Sequence, residues 1–215
     1  MNIIKAGWTI VDHQPGVEVL KKIESAARLC YKSENQITED SCFKMVEGLI
    51  KRKHFAMLEH ASITCQFVTD RGVTHEMVRH RLASFAQEST RYCNYGKGKF
   101  GAETTIIRPA YLEGDSEKCV KGRAIVDRVA QTAEEGYMEM LDLGFTPQEA
   151  RGVLIHFTKA EIIITANCRE WRHILDLRAV GSTGAPHPQM VEVMRPLLVA
   201  MNDKYPIIFR DLAMK

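Results

Sequence analysis

The chain has 215 residues, 45% of them hydrophobic, enough for one domain with a sizeable core and at most a modest appendage. Lys plus Arg number 29 against 27 Asp plus Glu, a net charge of +2, which argues against a general nucleic-acid coat and makes any anion binding local. Six cysteines at wide, irregular spacing with no C-x-x-C pair exclude a zinc ribbon or a small disulfide scaffold and read as reduced thiols of a cytoplasmic protein with no metal.

The opening MNIIKAGWTIVDH has no signal-peptide core, and no apolar run nears the roughly 20 residues that span a bilayer. Residues 2–11 predict a strand or extended entry. Over 17–31 the spacing predicts a helix with Val17, Leu20, Ile23, Ala27 and Cys30 on one side. Thr38 is the expected cap of a second helix reaching about His54, acidic early and basic late. ASITCQFVT at 61–69 alternates, with Ile63, Cys65 and Phe67 facing one way. Helical spacing returns over 73–83. Residues 93–104 read as a loop.

A long helix is expected over 116–142, stopped by Gly144. TPQE at 146–149 combines an N-cap, a proline at the first helical position and a capping-box glutamate; it puts Arg151 within two turns of a helix start. EIIITAN at 161–167 favours strand through its β-branched run. Asn167 should cap a helix to about Ala179. GSTGAPHP is a loop, and a last helix from near Gln189 should be kinked or interrupted at Pro196. The expectation is an α+β fold: one domain with a small mixed or antiparallel sheet packed with long helices.

Two basic clusters carry the chemistry. RHRLASFAQESTRY at 79–92 sets Arg79, His80 and Arg81 side by side, then adds Gln87, Ser89, Thr90 and Arg91. Guanidinium forks match phosphate oxygens; a solvated basic helix end is the plain alternative. In NCREWRHILDLR at 167–178, Arg169 and His173 share a helical face. Arg178 comes nine positions after Arg169, and at ~100° per residue a regular helix points the two apart. An amphipathic helix with exposed arginines explains this cluster equally well. Arg151, His54, Glu59 and His60 are, alone, ordinary surface or loop residues.

Three motifs fail on context. GKGKFG at 96–101 matches G-x-G-x-x-G but sits between a polar loop and the extended AETTII, not between strand and helix. In HEMVRH the histidines are five apart, where a zinc-protease helix needs four. Cys93 has no identifiable base beside it. A basic-aromatic strip of Arg79, Arg81, Arg91, Tyr92, Tyr95, Lys97 and Lys99 would suit single-stranded RNA, against the neutral net charge. A structural oligomer would leave both arginine clusters unexplained.

RHRLASFAQESTRY closely resembles the signature of the flavin-dependent thymidylate synthases: R-H-R, seven residues, Ser, then R-Y. EAR at 149–151, NCREWRHILDLR and HPQMVEV at 187–193 follow in that family's order, so the resemblance spans roughly residues 50 to 195. It implies an enzyme that converts dUMP to dTMP, with methylenetetrahydrofolate as carbon donor and NADPH as reductant through FAD. It also implies a homotetramer whose active sites form where subunits meet. By the resemblance, dUMP is held by Glu76, Met77, Val78, Arg79, Gln87, Glu88, Ser89, Thr90, Arg91 and Arg151, and Arg178 lies against the uracil ring as the catalytic arginine. FAD is held by His54, Ala56, Glu59, Arg79, His80, Arg81, Gln87, Asn167, Cys168, Arg169 and His173. Glu76, Ala56 and Cys168 depart from common versions of the pattern. Ser89 is expected to hydrogen-bond the nucleotide, not to attack it, because a serine nucleophile needs an activating base.

Overall fold

A computed structural model describes residues 1–12, 14–98 and 101–214. Lys99 and Phe100, the centre of GKGKFG, lie outside the described residues. The extended entry is two strands, β1 (Asn2–Ile4) and β2 (Gly7–Ile10), which join different sheets. β1 pairs in parallel with β5 (Thr105–Ile107), Asn2 opposite Thr105. β2 ends a four-stranded sheet of order β2-β3-β6-β4, with β3 at Ser62–Asp70, β6 at Lys159–Asn167 and β4 at Ala83–Gln87. Eight α-helices among the described residues make this a helix-rich α+β fold with small sheets. None of them is long and apolar enough to cross a membrane.

Most helices form where their periodicity places them. α1 (Gly16–Tyr31) buries Val19, Leu20, Ile23 and Ala27, but Cys30, expected on that face, is exposed in the last turn. α2 (Ser41–Lys51) follows Asp40, not Thr38; the Thr38 N–H donates to Ser41 Oγ at 2.9 Å instead. α4 (Glu117–Asp142) runs as expected and is followed by Gly144 at φ +92°, a conformation that glycine adopts without a Cβ clash. α5 (Pro147–Ala150) carries the capping box, with the Thr146 N–H donating to Glu149 Oε2 at 2.8 Å, and Arg151 is its C-cap.

Three expectations are corrected. α3 spans Arg71–Met77 and does not reach residue 83; Ala83–Gln87 instead forms β4, so the arginine motif passes from helix end through turn to strand. Its short apolar run satisfies either period, and sheet pairing decides. α6 (Cys168–Leu175) is capped by Asn167, whose Oδ1 accepts the Glu170 N–H at 2.8 Å, but it passes into a π-helical turn at Asp176–Val180. Gly181, at φ +81°, closes that turn; a Cβ there would meet Pro186 Cδ at 2.9 Å and Gly184 O at 3.0 Å. α7 (Pro188–Lys204) is not interrupted at Pro196; Val193, Met194, Leu197, Leu198 and Met201 bury around it and outweigh one lost ladder bond. An eighth helix, α8 (Pro206–Ala213), was not expected; Pro206 starts it.

The chain divides into two compact units. One comprises Met1–Gly7, Phe67–Arg79 and Ala86–Ile163; in it Tyr95, Tyr137 and Ala150 form a buried cluster with Met138, Met140 and Leu141 against it. The other comprises Trp8–Gln66, His80–Phe85 and Ile164–Lys215. Its core includes Trp171, wholly buried, whose indole N–H donates to the Ile63 carbonyl at 2.8 Å. One of the chain's passages from one unit to the other falls between Arg79 and His80.

Candidate functional site

In the first unit the expected nucleotide residues are set by a hydrogen-bonded frame. Asp70 caps α3 by accepting the Val73 N–H at 2.9 Å. Thr74 is buried in that helix, and its hydroxyl accepts from the Gln87 amide at 3.0 Å, which fixes the side chain at the end of β4. The next residue, Glu88, is tied at both oxygens: the Tyr95 hydroxyl donates at 3.0 Å and Lys159 Nζ at 2.9 Å. Its N–H donates to the Glu161 carbonyl at 2.8 Å. Burial, reinforced by the Glu88 charge and hydrogen bond, pushes the Tyr95 phenol far up, so it stays a donor. Burial opposes the Lys159 ammonium, yet Glu161 and Glu88 outweigh it and raise its pKa.

That frame presents the segment 89–91. Ser89 Oγ accepts the Arg91 N–H at 3.3 Å, a short turn of a kind serines favour. Thr90 is buried, and its hydroxyl accepts from Arg151 Nη1 at 3.4 Å, so Arg151 and the motif meet although far apart in sequence. Arg91 stacks over Tyr92, 5.3 Å from the ring centroid. Arg79 and Arg91 are exposed, Val78 is 39% exposed and Glu76 is half-buried. Met77 is 1% exposed, so only its backbone can reach a ligand. Arg91 on this segment and Arg151 bonded to it set two guanidinium groups beside the Ser89 and Thr90 hydroxyls, a set that can receive a phosphate ester. Glu88 faces inward to Tyr95 and Lys159; its side chain holds the segment in place.

In the second unit His80 is the centre. It is 7% exposed, and its Nε2 accepts from Arg178 Nε at 3.2 Å. Its Nδ1 stands 3.7 Å from Glu170 Oε1, and the His173 ring meets it edge-on at 6.0 Å. Burial first, then the charges of Arg178 and His173, lower its pKa to about 4. His80 is therefore a neutral imidazole, not the middle cation of a basic triplet, and the positive charge of the motif comes from Arg79 and Arg81. Burial also raises Glu170, against His173 and Arg169. Arg178 lies in a π-helical turn, so the regular-helix spacing that points it away from Arg169 does not apply to it.

The same unit holds a cavity of about 400 Å³ lined by Ala27, Cys30, Tyr31, Leu49, Lys53, His54, Phe55, Ala56, Met57 and Arg169. Three expected flavin residues, His54, Ala56 and Arg169, thus border one space. Glu59 orients Arg169 through a 2.6 Å ion pair. Cys168 does not line it. That side chain is wholly buried, burial pushes its thiol up to about 12, and its N–H donates to the Ala61 carbonyl at 2.8 Å. The Asn167 carboxamide oxygen is spent on the helix cap. Arg172 is structural: it pairs with both Asp211 oxygens at 2.6 and 2.7 Å and covers the Phe55 ring at 5.0 Å. Sequence reasoning missed Lys53, Cys30 and Tyr31 as cavity residues, because a basic helix end and an apolar helix face accounted for them. The Glu88–Tyr95–Lys159 set joins residue 159 to a segment 71 positions earlier and left no local signal.

A family model described as thymidylate synthase complementing protein, Thy1, matches residues 9–207. The chain belongs to this family. Among curated Thy1 relatives, a flavin-dependent thymidylate synthase of Geobacter sulfurreducens is 29% identical over 94% of this chain and 84% of its own length. One from Mycobacteroides abscessus is 30% identical over 88% of this chain and 78% of its own. Among solved structures, the UMP/dUMP methylase PolB from Streptomyces cacaoi, bound with 5-Br dUMP, superposes with a TM-score of 0.78 at 24% identity, covering 98% of this chain and 96% of PolB. That likeness shows that the chain shares the fold of PolB.

Proposed function

We propose that this Thy1 chain is a flavin-dependent thymidylate synthase. It methylates dUMP to dTMP, with methylenetetrahydrofolate as carbon donor, NADPH as reductant and FAD as cofactor. The observation that carries the reading is the joint presence of family membership and two separate donor clusters. One is a framed phosphate-type set around Ser89, Thr90 and Arg151. The other holds Arg178 on a neutral histidine, in the unit that also contains the cavity bordered by His54, Ala56 and Arg169. The curated relatives are named flavin-dependent thymidylate synthases, and PolB is a UMP/dUMP methylase.

The residues suit FAD. Apolar walls from Ala27, Leu49, Phe55 and Met57 with Lys53, His54 and Arg169 at the same cavity match a flat ring system that carries phosphates. Arg81 and His173 complete the flavin set, with backbone contacts at Asn167 and Cys168. When bound, FAD supplies the redox chemistry. The chain's own residues bind and orient. Arg79, Gln87, Ser89, Arg91 and Arg151 receive the nucleotide, with Glu76 and Val78 beside them. Arg178 places fixed positive charge where the uracil ring gains negative charge, a stabilisation that needs no reorganisation. Ser89 is a hydrogen-bonding residue: the His80 Nε2 lone pair is engaged by Arg178, so that imidazole cannot serve it as a base. The enzyme works as a cytoplasmic homotetramer, each active site assembled where subunits meet.

The test is a product assay with dUMP, methylenetetrahydrofolate, FAD and NADPH, omitting one component at a time. Product dTMP in the full mixture alone is the expected result. Undiminished dTMP from flavin-free protein without added FAD, or none in the full mixture, contradicts the reading.

A further inference from the structure

The resemblance makes His80 a flavin contact, and its neighbours Arg79 and Arg81 make it look like a third cation. Its surroundings describe a different task. An arginine carries only donors. Arg178 Nε lies 3.2 Å from His80 Nε2, so Nε2 must present its lone pair, and the proton belongs on Nδ1. Glu170 Oε1, at 3.7 Å from that nitrogen, is too far for a hydrogen bond but close enough to favour an N–H over a bare lone pair. Glu170 is itself 6% exposed at the start of α6, where its N–H is held by the Asn167 cap. Arg178 sits in the π-helical turn Asp176–Val180, an irregularity that occurs frequently at functional sites.

We infer that His80 is a positioning residue for the reaction: its neutral Nδ1–H tautomer, favoured by Glu170, uses the Nε2 lone pair to hold the guanidinium of Arg178 in its working orientation. The inference rests on Arg178 being the catalytic arginine. It gives the histidine of the R-H-R signature a role through another side chain, in place of a charge on the ligand. Burial keeps the ring uncharged at neutral pH, which the acceptor role requires; a protonated ring would turn a second N–H toward the guanidinium and lose the bond.

The test uses His80→Phe, which keeps a flat ring without an acceptor, His80→Gln, which restores a neutral acceptor, Arg178→Ala, and the double variant His80→Phe/Arg178→Ala. Readouts are kcat, KM for dUMP, bound flavin by absorbance, and the His80 tautomer by nitrogen NMR of the holoenzyme. His80→Phe should lower kcat by roughly 10–100-fold, the scale of a misplaced catalytic group, with bound flavin and KM nearly unchanged. His80→Gln should recover most of that loss. The double variant should be no slower than Arg178→Ala. In the wild type the NMR signals should report the Nδ1–H form, and in Arg178→Ala a mixture of tautomers.

Loss of flavin from His80→Phe with normal kcat in the loaded fraction would overturn the inference, as would a full additive loss in the double variant. Should His80→Phe fail to fold, an Nε2–H tautomer in the wild-type spectrum would overturn it alone. Normal turnover by Arg178→Ala would instead sink the assignment of Arg178 and the catalytic half of this inference with it. A dead Arg178→Ala beside a fully active His80→Phe would sink this inference only.

Discussion

The unit containing Ser89 and Arg151 and the unit containing His80 and Arg178 both carry arginines, but they hold them differently. In the first, carboxylates and hydroxyls face inward and brace the chain: Glu88 takes Tyr95 and Lys159, and Thr90 takes Arg151. Arg79 and Arg91 stay at the surface, where a guanidinium can close on an incoming anion. In the second, three guanidinium groups each have a side-chain partner. Arg172 is clamped by Asp211, Arg169 by Glu59 and Arg178 by a neutral histidine. Capture of a phosphate tolerates adaptable donors, whereas stabilising charge on a reacting ring rewards a fixed one. The contrast teaches that arginine count says little; the partner of each arginine says what it does.

The sharpest way to break the contrast is Arg178→Ala. It should cut dTMP formation by about 10²–10³-fold, the scale of removing one preorganised donor, while absorbance shows bound flavin retained. Wild-type turnover would erase the distinction. Next comes Arg172→Ala, which strips Asp211 and the Ile208 carbonyl of their partner. Asp211 is half-exposed, so the expected loss is roughly 2–3 kcal/mol, read as a lowered urea midpoint. A change in kcat without a change in stability would make this arginine functional after all.

The neutral histidine has a pH signature of similar size. Above its ordinary value of 6.5, His80 is uncharged in both folded and unfolded chains. As pH falls below that, the unfolded chain takes up the proton first, so folding stability drops until the folded His80 protonates near its lowered value of about 4. The cost across that window is at most about 3 kcal/mol. Urea denaturation of His80→Gln between those pH values should lose less stability than the wild type; an identical slope would refute a buried neutral imidazole. In the other unit, Glu88→Gln should loosen the 89–91 segment and raise KM for dUMP about tenfold, the loss of one charge-assisted bond, with flavin absorbance unchanged.

Much of this was legible in the residues. The capping box at Thr146, the alternation over Ile63–Phe67 and the Asn167 cap all rest on local chemistry, and local chemistry is what a sequence displays. Arg169 and Arg178 were recognisable as candidates, and the family pattern supplied their order. The charge state of His80 was not legible, because its burial and its bond to Arg178 join positions 98 apart in the chain. Nor was β4: Ala83–Gln87 fits a helix continued from α3 until pairing with another strand chooses the extended form. The π-helical turn at Arg178 likewise has no sequence signature; Gly181 marks only its end.

The division of labour between the units is tested most directly by flavin absorbance and dUMP titration of Arg169→Ala beside Arg151→Ala. Arg169→Ala should emerge pale, with flavin occupancy well below wild type, while Arg151→Ala stays yellow and binds dUMP roughly tenfold more weakly. Two proteins equally yellow and equally tight for dUMP, or a pale Arg151→Ala with an unaffected Arg169→Ala, would contradict it.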